Sequence, residues 1–227
     1  MKAPQLEVIA TSVEDGIAAE CGGADRLEVV STMEADGLTP TVDLVRQLRD
    51  AVAIPLRVML RTRPDFLAGV RDADVLAQAA GRMRAIGVHH FVFGFLTTDS
   101  QVDSDAIRSL CSAASPAAWT FHRAFDHVTD PRATVSLCGG FPSLDFVLSA
   151  GSPDGVDKGC SVLQERASWQ TSSLRWIAGG GLRLAHVPAL CAAGITQFHC
   201  GRAVRAGQRW NAPVDESLVR AFKEAAV

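Results

Sequence analysis

Short apolar runs alternate along the whole chain with longer amphipathic stretches. The runs are LEVIA (6–10), RLEVV (26–30), PLRVMLR (55–61), HFVFGFL (90–96), AAWTFHRA (117–124), LDFVLSA (144–150), LRWIAGG (174–180) and ITQFHCG (195–201). Their length and their wealth of Val, Ile, Leu and Phe predict buried strands. Between and after them lie 13–22, 42–52, 74–87, 104–115, 130–140, 160–169, 184–194 and 215–227, whose apolar residues fall at helical spacing. Ser12, Thr41 and Ser104 are placed to cap first turns, and Gly23, Gly87, Gly140 and Gly194 to close last turns with positive φ.

Strict strand–helix alternation predicts a parallel sheet, because right-handed crossovers put every helix outside it. Eight units of about 28 residues fit a single-domain (β/α)8 TIM barrel over residues 1–227. An open doubly wound sheet would want a glycine fingerprint after the first strand, and LEVIATSVEDG has none. With 22 basic and 25 acidic residues and no basic block, neither nucleic acid nor a membrane surface is an expected partner. The six cysteines form no C-x-x-C pair and read as reduced thiols; with no leader or membrane span recognised, they point to the cytoplasm.

A TIM barrel carries its chemistry at the C-terminal ends of its strands, and here those ends are polar. Glu7 and Glu28 interrupt apolar strands, and Arg26 shares a strand face with Glu28. Burying such charges demands partners, so Glu7, Arg26, Glu28 and either Arg57 or Arg61 are expected to form an interior ion network, structural or acid–base in purpose. His122 and His199 end different strands and can face one cavity; His122, Glu7, Glu28 and Asp126 are the candidate catalytic groups. Arg26, Arg61, Arg123, Ser149, Gly179, Gly180, Gly181 and Arg202 are the candidate anion-binding set, the glycines offering exposed backbone N–H groups. His89, His90 and His186 fall at the wrong end of the barrel or on its outside.

The segments GGADRLE (22–28), GLTP (37–40), TFHRAFD (120–126), the turn at 149–151, GGG (179–181) and FHC (198–200) resemble the CutC copper homeostasis family, in the family's order and across most of the chain. The resemblance implies a cytoplasmic TIM-type barrel tied to copper tolerance, a homo-oligomer, copper as a ligand and no organic cofactor. It carries the family's polar cluster onto Glu7, Arg26, Glu28, Arg61, His122, Arg123, Asp126, Ser149 and His199. Two departures touch copper directly. Ile9 and Val30 stand where family members commonly have cysteine, which leaves His199 and Cys200 as the expected metal pair. The segment RTRPDF (61–66) replaces a glycine-richer loop. Two functions follow: copper binding, or an acid–base enzyme (isomerase, lyase or hydrolase) acting on a small anionic or phosphorylated metabolite.

Overall fold

A computed structural model describes residues 3–69 and 72–226. Eight strands alternate with eight helices: β1 Gln5–Ala10, α1 Val13–Cys21, β2 Arg26–Val29, α2 Val42–Ala51, β3 Leu56–Met59, α3 Asp72–Ala85, β4 His90–Phe93 and α4 Ser104–Ala114. They continue with β5 Ala118–Phe121, α5 Pro131–Cys138, β6 Leu144–Ser149, α6 Val156–Arg166, β7 Arg175–Ala178, α7 Val187–Ala192, β8 Gln197–Cys200 and α8 Glu216–Ala225. The strands pair in chain order and β8 closes on β1, all parallel, forming the expected (β/α)8 barrel.

Each strand buries both faces. Outward residues such as Val8, Leu27, Val58, Phe91, Trp119, Val147, Trp176 and Phe198 join the helices in one large apolar cluster. Trp119 stacks on Phe93 with ring centroids 4.0 Å apart, and its indole N–H donates to the Pro142 carbonyl at 2.8 Å. That cluster holds the barrel closed by burying apolar area, at about 25 cal/mol per Å².

Some boundaries differ from those the sequence predicts. Asp103, not Ser104, caps α4, because its carboxylate accepts from the Ala106 N–H at 3.0 Å. Gly23, Gly87 and Gly194 take positive φ, but α5 ends on a right-handed Gly139, and the positive φ before β6 falls on Ser143 rather than Gly140. Helix α6 starts at Val156, ahead of its predicted span, with Gly155 at positive φ (101°) as its N-cap residue.

The lower barrel interior is unusually charged. Guanidinium carbons of Arg26, Arg57 and Arg175 lie 4.8, 4.7 and 4.6 Å from the centroid of the Phe146 ring. Three guanidinium groups thus cluster around one phenyl ring. Arg57 also donates to Thr120 Oγ1 and pairs with Asp145.

Candidate active site

Strand register assembles the site. Glu7 lies opposite Arg26 on one neighbouring strand and opposite His199 on the other. Its carboxylate accepts from Arg26 Nε at 2.5 Å and faces His199 Nδ1 at 2.8 Å. Burial pushes the Glu7 carboxyl upward, but Arg26 and then His199 overcome it and hold the group well below the usual carboxylate range. With Nδ1 engaged by an ionised carboxylate, His199 turns Nε2 toward Glu28, 3.7 Å from Oε2. Burial disfavours the imidazolium, yet Glu28 and Glu7 together raise the His199 pKa above its ordinary value. Glu28 is the odd member of the chain. Burial, aided by Glu7 and opposed by His199, pushes its carboxyl up to about 7, and Oε1 has no hydrogen-bond partner.

His122 follows β5, across the barrel. The Ala124 N–H donates to its Nδ1 at 3.3 Å, which leaves the proton of a neutral ring on Nε2. Burial first, then Arg61, presses its pKa down to about 3, and Nε2 is buried without a partner. Phe66 packs on the His122 and His127 rings at 5.4 and 5.0 Å. Arg61 spreads over the same Phe66 ring at 4.8 Å, and its guanidinium donates to the carbonyls of Ala35, Asp36 and Pro64. It forms no salt bridge among the described residues, and its Nε is unpartnered.

Glu28, Arg61, His122 and His199 line one cavity of about 660 Å³ at the barrel mouth, with Arg123, Gly180, Gly181 and Arg202 on its rim. Gly179 and Gly180 shape that rim. A Cβ on Gly179 would lie 2.8 Å from His199 Cβ, so the imidazole packs on bare backbone. Gly180 has φ 88°, and a Cβ there would meet Arg123 Nε at 2.5 Å.

Other expected residues lie outside the cavity. Glu7 and Arg26 sit one layer below it, as supports of His199. Asp126 is fully engaged by protein: Oδ1 accepts from Ser149 Oγ at 2.5 Å, and Oδ2 accepts from the Ala150 N–H at 2.9 Å and Arg123 Nε at 3.0 Å. Asp126 and Ser149 therefore aim Arg123, together with Arg166, whose Nη1 donates to Ser149 Oγ at 3.2 Å. Cys200 corrects the expected metal pair. Successive strand residues face opposite ways, so His199 points inward while Cys200 joins the apolar cluster outside, where burial raises its thiol pKa. Sequence reasoning missed Phe66, Trp210, Met33 and Asp36, loop residues of the cavity wall that no strand period marks.

Copper fits this arrangement poorly. Glu7, Glu28 and His199 do form a group whose potential ligand atoms lie within 4.8 Å of one another. Both Glu7 oxygens are taken by Arg26 and His199, however, and the Arg26 cation stands where it would repel a metal. The sulfur in the cavity wall comes from the thioethers of Met33 and Met59, and Met59 packs in an apolar cluster with Ile9, Val30 and Val92. That set offers thioethers, which suit Cu(I), but no thiolate beside them.

Comparison with known proteins bears on the fold and the family. The copper homeostasis protein cutC homolog of Homo sapiens is 33% identical over 199 residues, 86% of this chain and 72% of that protein. A CutC family protein of Klebsiella pneumoniae (strain 342) is 33% identical over 196 residues, 86% of this chain and 78% of its own. The crystal structure of CutC from Streptococcus agalactiae matches with a TM-score of 0.78 at 20% identity, covering 87% of this chain and 98% of that one. A dihydrodipicolinate synthase of Bacillus anthracis shares the barrel at a TM-score of 0.64 and 10% identity, covering 88% of this chain and 70% of that one. The model of the CutC family matches residues 4–204, and on that match and these identities the chain belongs to the CutC family.

Proposed function

We propose that this CutC family member serves copper homeostasis from the cytoplasm, through a cavity that binds a small anionic molecule and exchanges a proton with it. One observation carries the reading: a buried carboxyl with an unpartnered oxygen, Glu28, shares a cavity with two guanidinium groups, Arg61 and Arg202, that have no carboxylate partner among the described residues. Arg61 is buried and Arg202 lines the rim, and neither forms a salt bridge among the described residues. A ligand anion would satisfy them, while Glu28 and His199 stand ready to share a proton near neutral pH. The rim adds the backbone of Gly180 and Gly181 and the start of α6, which has no side-chain cap.

The weaker reading takes copper itself as the ligand, and the proximity of Glu7, Glu28 and His199 is what favours it. The two readings separate by titration. Thermal unfolding with millimolar 2-phosphoglycolate or inorganic phosphate should raise Tm in wild type, by an amount that grows with ligand over Kd, and should fail to do so in Arg61→Met. Absence of any rise, beside tight Cu(II) binding by calorimetry that His199→Ala abolishes, would replace the anion reading with the metal one.

A further inference from the structure

The side chains missing from the cavity wall narrow its chemistry. Among the described residues the lining holds no serine, threonine, cysteine or lysine. No alcohol or thiol is there to take an acyl or phosphoryl group, and no amine to form a Schiff base with a carbonyl. The wall's reactive groups are carboxylates and imidazoles, which carry protons, and two of them hold a buried atom without a protein partner: Glu28 Oε1 and His122 Nε2.

These two atoms are suited to opposite tasks. Glu28 is buried in the cavity wall that also holds Ile9 and Met59, and an ionised carboxylate poorly solvated there is a strong base. His122 comes from the other side of the barrel, on the segment after β5, and its ring is held neutral with an N–H pointing away from the Ala124 bond. A neutral imidazole N–H stabilises a developing oxyanion by hydrogen bonding while keeping its own proton. Arg61, packed on the Phe66 ring that also touches His122, adds positive charge on the same side.

We propose that the cavity catalyses proton transfer at carbon in an anionic α-hydroxycarbonyl compound, Glu28 carrying the C–H proton and His122 Nε2–H holding the carbonyl oxygen as charge develops on it. The inference rests on the anion-binding reading above and names its substrate class. In the forward step the Glu28 carboxylate takes the proton from the carbon that bears the hydroxyl. The C–H electron pair forms the new C=C bond, and the carbonyl π pair moves onto the oxygen that faces His122. In the return step Glu28 delivers its proton to the former carbonyl carbon, and the hydroxyl proton passes from one oxygen to the other. The product is the 1,2-shifted isomer, with no electron gained or lost and no co-reactant needed. Arg123 and Arg202 at the rim would hold the substrate's anionic end, away from the reacting carbons.

The test is solvent exchange followed by ¹H NMR in D₂O, with dihydroxyacetone phosphate, glyceraldehyde 3-phosphate and ribulose 5-phosphate as probes, beside calorimetric binding of each. At least one probe should exchange its C–H proton ten or more times faster than in enzyme-free buffer. Glu28→Gln should abolish exchange while binding holds. His122→Phe, which keeps the ring stack but loses the N–H, should slow exchange by about 10²-fold, and His122→Gln, which keeps a donor, should recover part of it. Saturable binding with no exchange of any probe overturns this inference and leaves the anion pocket standing. Exchange unaffected by His122→Phe overturns the role of His122, and no binding by any probe removes the anion reading as well.

Discussion

Replacing Glu28 with glutamine is expected to stabilise the protein above neutral pH. The folded state holds the Glu28 proton to about pH 7, whereas an ordinary glutamate, as in the unfolded chain, releases it near 4.5. Between those values the folded state binds more protons than the unfolded one, so the Glu28 contribution to stability is complete below pH 4.5 and lost as pH rises through 7. The difference of about 2.5 pH units corresponds to about 3 kcal/mol. His199 contributes with the same sign, since Glu28 is part of what raises its pKa, and its extra stability also fades with rising pH. Glutamine removes the proton equilibrium and keeps the volume. Urea unfolding of variant and wild type from pH 5 to 8, followed by tryptophan fluorescence, should give curves whose difference grows by about 3 kcal/mol across the range. In thermal melts that is roughly 6–12 °C at pH 8. A difference that stays flat with pH would refute the claim that Glu28 is buried, protonated and short of partners.

Three further outcomes follow. Asp15→Asn should cost about 3–5 kcal/mol in chemical unfolding, because it breaks the buried Asp15–Arg205 pair, 2.6 Å apart, that ties the segment after β8 to α1. Gly180→Ala should cost about 1–3 kcal/mol through its positive φ; by pushing Arg123 aside it should weaken 2-phosphoglycolate binding more than a stability loss alone would, as calorimetry on the folded variant would show. Cys200→Ser should leave Cu(I) competition against a chromogenic chelator unchanged, and native thiol labelling should reach the exposed Cys21 while sparing Cys200.

How much was readable beforehand differs between fold and site. The barrel was, because all eight strands are buried on both faces and all eight helices keep a helical apolar period, a contrast that local residues encode. Errors fell where one residue decides: Asp103 competes with Ser104 for a cap, and Ser143 rather than Gly140 takes the left-handed turn. For the site, Glu28, Arg61, His122 and His199 were legible as polar residues at strand ends, and register then made Glu7 the neighbour of both Arg26 and His199. The twofold strand period already opposes Cys200 to His199 and Ser149 to Leu148, so pairing His199 with Cys200 ignored a signal present in the chain. Phe66, Met33 and Trp210 had no such signal, because loops carry no period and their approach to the cavity depends on tertiary packing.

At the centre stands one cavity that holds a His199 with a raised pKa and a neutral His122 and accepts an anionic molecule. Long-range ¹H–¹⁵N spectra of the imidazoles, recorded from pH 5 to 8 with and without 2-phosphoglycolate, test it most directly. His122 should stay neutral with its proton on Nε2 across the range, and His199 should remain protonated past its ordinary pKa. Both should shift on adding the anion, while His89, His90 and His186 do not. A His122 that titrates near 6.5, or anion-induced shifts confined to the outer histidines, would contradict it.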